Sequence, residues 1–260
     1  MGHHFEKNSI RIASWNIRCG LPHPSMLLSD FESTGLKFII DCLKISSIDI
    51  VGLQEVIFED ENNSQAIKIA QGAGFEYCEC WKLSDCHLKK NASMGIALLS
   101  KHVIKNTKRI KLINPITGIK NSNNILPIHD KGFIQSQIEF KGQEIDFITG
   151  HGYPFHSLNL ESLEFKYIYE NFEESLQYLF DSDRLAIICG DFNSQVMPFL
   201  MPRIFSRYNS IINSSTRPID RCDDYILCSN HFEVLNTWII PSISDHFFCA
   251  AELKIKSKLN

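Results

Sequence analysis

The sequence predicts an α/β fold in which two mixed β-sheets stack face to face with helices outside. Two observations lead to it. Short apolar or alternating segments bounded by turn residues outnumber helical patterns along the 260 residues. The first strand–helix–strand join is only a few residues long, which calls for a covered sheet. At 44% hydrophobic, and without a linker, repeat or composition break, the chain reads as one domain over residues 1–260, with 1–8 as a flexible extension.

The segment IRIASWNI (Ile10–Ile17) alternates with period two and runs into a loop. GLKFIIDCLKI (Gly35–Ile45) sets Leu36, Ile39, Ile40 and Leu43 on one helical face, and the strand IDIVGLQEV follows. Further strands are predicted at Phe75–Trp81, Met94–Leu99, Val103–Ile113, Gly132–Phe140 and Glu144–Thr149, the last two joined by a KGQE turn. One long amphipathic helix is predicted over Leu160–Phe180. LAIICGDFNS reads as a buried strand opening into a loop, and the last strands fall at Asp224–Cys228 and His246–Ile255.

Composition bounds the function. A net charge of -4 and a pI near 6.2 exclude a general polyanion-coating protein, so any nucleic-acid contact rests on a local patch. No apolar run reaches the roughly 18 residues of a membrane span, and the segment MGHHFEKNSIRI lacks the apolar core of a secretion signal. A cytoplasmic monomer without stable membrane association is the expectation. The nine cysteines are scattered and several lie in apolar runs, as buried thiols do. Cys78, Cys80, Cys86 and His87 have the count of a zinc site but no strong ligand spacing, so ordinary thiols are expected.

Polar residues recur where the apolar strands end: Asn16, Gln54-Glu55, His151, Asp191, Asn193, Asp224 and Ser244-Asp245-His246. Strand ends are where a rigid scaffold presents loop residues to a cleft. Each has a bland alternative, since Gly-Asp and Asn-Ser are common turn chemistry and a lone histidine is more often a satisfied polar residue than a catalyst. Their joint occurrence, with no Ser or Cys nucleophile motif, points to carboxylate and imidazole chemistry.

The segments SWNIRCG, DIVGLQEV, MGIALLSK, TGHGYP, ICGDFNSQ, CDDYILCS and SISDHFF, in this order from residue 14 to 248, resemble the endonuclease/exonuclease/phosphatase superfamily. That group includes deoxyribonucleases, abasic endonucleases, deadenylases, neutral sphingomyelinases and inositol polyphosphate phosphatases. The resemblance implies a four-layer α/β sandwich with its cleft at one edge of the sheets. It also implies Mg²⁺, with Mn²⁺ as a substitute, held by Glu55, with Asn16 holding a metal-bound water or a substrate phosphate oxygen and Asp245 joining the metal shell on the other side. Mg²⁺ prefers oxygen ligands and keeps several waters, so one or two carboxylates suffice.

By the same resemblance, Asp224 orients His246, which acts as general base or binds the scissile phosphate. Asp191 positions or deprotonates the water, and Asn193 donates an amide hydrogen bond to the phosphate. His151 protonates the leaving oxygen or binds phosphoryl oxygens. Asp223 is expected to be a solvated neighbour of Asp224, and His156 part of a loop.

The substrate is less legible. Lys105, Lys108 and Arg109, in the basic stretch Ser100–Lys111, suit a phosphate backbone, although lysine also protects edge strands. Tyr153 and Phe155 are candidates to stack on a base, or to pack in a loop. A nuclease cleaving DNA or RNA is the leading expectation. The alternative is a phosphatase or sphingomyelinase-like phosphodiesterase acting on a lipid or small-molecule phosphate ester.

Overall fold

The computed structural model describes residues 9–23, 31–60, 63–115 and 129–257. The expected 1–8 extension lies outside them. Twelve strands form in chain order: β1 (Ser9–Asn16), β2 (Ile50–Phe58), β3 (Tyr77–Asp85), β4 (Ser93–Ser100), β5 (Ile104–Lys111), β6 (Gly132–Phe140), β7 (Gln143–His151), β8 (Ala186–Asp191), β9 (Asn209–Ser210), β10 (Asp224–Cys228), β11 (Phe232–Ile240) and β12 (Phe248–Ile255). They divide into two six-stranded sheets, ordered β11-β12-β1-β2-β4-β3 and β5-β6-β7-β8-β10-β9. Each is mixed, with β1–β2 and β7–β8 as its parallel pair.

Strand parity builds the layers. In β1, Ile10 and Ile12 enter the core between the sheets, while Ala13 and Trp15 join the outer core under helices α1 (Phe31–Ile45) and α2 (Gln65–Ala73). In the second sheet Ile187, Cys189, Ile226 and Cys228 face inward. Ile188 and Leu227 pack outward with α3 (Lys166–Ser175), α4 (Gln177–Phe180), α5 (Met197–Leu200) and α6 (Pro202–Arg207). Three cores between four layers make an α/β sandwich, as period-two burial on both strand faces requires.

Some expectations need correction. The predicted helix at 160–180 is interrupted: a 3₁₀ turn at Ser162–Phe165 precedes α3, and Leu176 leaves helical geometry (φ -102, ψ 16) before α4. The strand predicted from His246 begins at Phe248, because His246 belongs to the preceding loop. Cys78 pairs with Cys80 (Sγ–Sγ 3.3 Å) and Cys86 with Cys19 (3.6 Å), so the four residues weighed for zinc do not converge.

Candidate active site

The parity that buries the core also assembles the site. On the inter-sheet face β1 reads Ile10, Ile12, Ser14, Asn16, and β2 reads Ile50, Gly52, Gln54. On the facing sheet β7 reads Ile145, Phe147, Thr149, His151, and β8 reads Ile187, Cys189, Asp191. Each series turns from apolar to polar at the same end of the sandwich. Strand register aligns the second sheet's contribution in one transverse row: Gly132 opposite His151, His151 opposite Asp191, Asp191 opposite Asp224. Gly52 permits the sheets to approach here, since a Cβ on it would lie 1.9 Å from Thr149 Oγ1.

Asp191 is the hub. Asn16 Nδ2 donates to its Oδ2 at 2.9 Å across the sheets, and the Asn193 backbone N–H donates to Oδ1 at 2.9 Å. His151 Nε2 lies 3.4 Å and His246 Nε2 3.5 Å from the same Oδ2. His246 Nδ1 donates to Asp224 Oδ2 at 2.9 Å. Asn193 Nδ2 is tied to the Gly152 carbonyl at 3.2 Å.

The loop before β12 is held by serines. Ser244 Oγ donates to the Asn16 carbonyl (2.8 Å) and accepts from the His246 N–H (3.1 Å). Ser242 Oγ donates to the His246 carbonyl (2.6 Å) and accepts from Trp15 Nε1 (3.3 Å). His246 is thereby fixed to the end of β1.

Charge in this site is concentrated. Burial pushes the Asp191 carboxyl well above the usual carboxylate range. Burial opposes charge on His246, but Asp224 and Asp191 override it and lift the imidazole to about 10. Burial, aided by the neighbouring Lys131 ammonium, holds His151 far below the usual histidine range. The two histidines therefore differ: His246 is cationic and His151 neutral at pH 7.

Glu55 occupies a β-bulge where the β2–β4 register shifts, with a left-handed φ of 56. Bulges re-aim side chains, and a non-glycine residue held in that conformation marks a constrained position. Among the described residues its carboxylate makes no hydrogen bond or ion pair. Its charge acts on Lys131, as does that of Asp191.

Beside Glu55, Gln54 Oε1 is buried without a partner, and so is Asp224 Oδ1. A carboxylate without a hydrogen bond or ion pair among the described residues suits a hard cation such as Mg²⁺. Asp191, Asp224 and His246 also offer ligand atoms within 4.8 Å of one another, the one such group among the described residues. A protonated imidazole bonded to Asp224 is a poor metal ligand, so the oxygen donors fit better.

The profile of the endonuclease/exonuclease/phosphatase family matches residues 13–246. The chain belongs to that family. Its structure is similar to the human Nocturnin catalytic domain with bound sulfate (TM-score 0.70, 18% identity, 97% of this chain and 95% of that one). It is similar to an endonuclease/exonuclease/phosphatase from Beutenbergia cavernae (0.69, 15%, 96% and 72%). It also resembles ANGEL2, a 2',3'-cyclic phosphatase, in complex with adenosine-2',3'-vanadate (0.66, 13%, 96% and 96%). No curated protein matches the chain.

Within this family site, several sequence expectations change. Asp245 pairs with Arg217 (2.7 Å), with Arg18 at 3.8 Å, and Asn16 bonds Asp191 through Nδ2 and accepts from the Arg18 N–H. Asp223 is not solvated but fully buried. Burial disfavours its charge, yet Arg221 (2.8 Å) and Arg217 (3.1 Å) hold it ionised. Tyr153 and Phe155 lie in the core and present no face to a base.

The basic stretch lies on edge strand β5. Lys105 sits opposite Gln137, toward the end of β6 remote from Gly132, and pairs with Glu139; Lys108 is opposite Gln135. Arg109 donates to the Cys80 carbonyl at 2.8 Å. His156 lies in a short 3₁₀ turn, with Nδ1 3.1 Å from the Asn193 carbonyl. Sequence reading overlooked Lys131 and Arg217. The DKG step before an alternating strand was the only signal for the first, and nothing marked the second.

Proposed function

We propose that this chain is a Mg²⁺-dependent phosphodiesterase acting on DNA or RNA, with Glu55 as the principal metal ligand. The carrying observation is the buried Asp224–His246–Asp191 chain, bridged to the opposite sheet through Asn16. Bound Mg²⁺ supplies charge neutralisation at the phosphate and a polarised water. Asp191 takes the proton of the attacking water, because burial raises its affinity for one and Asn16 fixes its orientation. His246, cationic and steadied by Asp224, donates to a phosphoryl oxygen; its high proton affinity disfavours the general-base role. Asn193 holds the loop after β8 through Gly152 and directs its backbone to Asp191. Neutral His151 accepts hydrogen bonds in preference to donating a proton from an imidazolium.

One observation favours a second reading, hydrolysis of a lipid or small-molecule phosphate ester. Lys105, expected to grip a polynucleotide backbone, lies opposite Gln137, five residues along β6 from Gly132, and is paired with Glu139, while Arg109 is bonded to the Cys80 carbonyl. The two readings separate on a substrate panel in Mg²⁺: single-stranded, duplex and end-modified nucleic acids beside sphingomyelin and inositol phosphates. Cleavage of nucleic acids supports the first. Turnover confined to head groups replaces it with the second.

A further inference from the structure

Lys131 immediately precedes β6 at the level of the site row, and only 5% of it is exposed. Its Nζ lies 2.8 Å from His151 Nε2 and 3.1 Å from Nδ1. Among the described residues it forms no ion pair within 4.0 Å, although Glu55 and Asp191 both act on it at longer range. A buried ammonium without a close counter-charge is costly, and a methionine of similar length would avoid that cost.

An ammonium carries three N–H donors, and a neutral imidazole has one lone pair to accept with. Lys131 therefore retains donor capacity inside the site after His151 is satisfied. The backbone keeps it there: the Lys131 carbonyl accepts from the Leu112 N–H at 3.0 Å, and Gly132 pairs with His151 in the ladder.

We propose that Lys131 is a phosphoryl-oxygen-binding residue, its ammonium braced by His151 at the level of the site row to receive a non-bridging oxygen of the substrate phosphate. This rests on the phosphoesterase reading above and adds a second cationic group for the phosphate besides His246. It reassigns His151 as well. The histidine is a positioning residue for the lysine, and the positive charge expected of it is carried by the neighbouring ammonium. A lysine acts here as a compact point charge and needs no bidentate geometry.

Calorimetric titration of inorganic phosphate into the full chain, with Mg²⁺ present, tests this on wild type, Lys131→Met and Lys131→Arg. The methionine variant is expected to bind phosphate about tenfold or more weakly, the scale of one lost charge-assisted contact. The arginine variant is expected to recover much of that loss. A second measurement needs no folded methionine variant: the Lys131 Nζ nitrogen signal of the wild type, assigned by its absence from Lys131→Arg, is expected to move as phosphate is added. Equal affinity in wild type and Lys131→Met, a stationary Nζ signal, or no phosphate binding by the wild type overturns the proposal. Lysine-dependent phosphate binding in a chain that cleaves no nucleic acid upholds it and removes the nucleic-acid reading instead.

Discussion

Asp224 acts on the reaction through His246, and neutralising it is expected to be costly. With one oxygen on His246 Nδ1 and the other buried without a partner, it fixes the ring and supports its charge. Asp224→Asn keeps the volume and removes the charge, so the rate is expected to fall by about 10³–10⁴, as when a triad carboxylate is neutralised. Steady-state kinetics beside circular dichroism checks this; near-normal turnover in a folded variant contradicts it. The same pair makes stability depend on pH. The folded imidazole binds its proton more tightly than the usual value of 6.5, being lifted to about 10, so folding gains from a protonated His246. That gain is full below pH 6.5 and lost as pH rises through about 10. The stability difference between wild type and His246→Gln in chelator-treated protein should therefore shrink from pH 6.5 upward, which denaturant melts read directly. A difference that grows with pH reverses the sign and sinks the assignment.

At the scale of elements, β8 places Asp191 through a glycine. Gly190 has φ +152, and a Cβ on it would stand 2.2 Å from the Gly150 carbonyl of β7. Gly190→Ala is expected to cost roughly 3 kcal/mol from backbone strain and displacement of the parallel pair, and to depress activity through Asp191. Chemical denaturation decides it, and a loss below about 0.5 kcal/mol contradicts the close approach. Strand β5 supplies the opposite case. Lys105 pairs with Glu139 away from the site row, so Lys105→Ala is expected to leave kcat/KM unchanged at moderate salt. A marked drop restores it to the substrate surface.

Elements with an alternating or unbroken apolar pattern were the legible ones: β6 and β10 begin and end where the pattern predicts. Others lack that signal. Helix α2 is nine residues long and contains Gly72; its surest mark is the Ser64 cap on the Ile67 N–H, which reads equally as a turn. Strand β11 is half exposed and carries a bulge between Val234 and Asn236, which breaks its alternation.

For the whole molecule, the fold was readable because both faces of each central strand are buried and the polar residues cluster at one end. The site residues Asn16, His151, Asp191, Asn193, Asp224 and His246 were visible as strand-end polar groups, and the sandwich brings them together. Which of them bear charge was not visible, because burial and neighbours decide it only after folding. Asp223 shows this: adjacent to Asp224 in sequence, it turns to Arg217 and Arg221 and belongs to a separate ion cluster. Lys131 shows it again, as a lysine that reads as surface and ends up buried.

On the proposed mechanism Glu55, Asp191 and His246 serve one hydrated cation and one phosphate. Measuring hydrolysis of a nucleic-acid substrate against Mg²⁺ concentration, for wild type and Glu55→Gln, tests it most directly. Activity is expected to be abolished by chelation and restored by Mg²⁺, with Glu55→Gln about a hundredfold slower and needing more metal for half-maximal rate. Hydrolysis that persists in chelator, or a Glu55→Gln variant with the wild-type metal dependence, would contradict it.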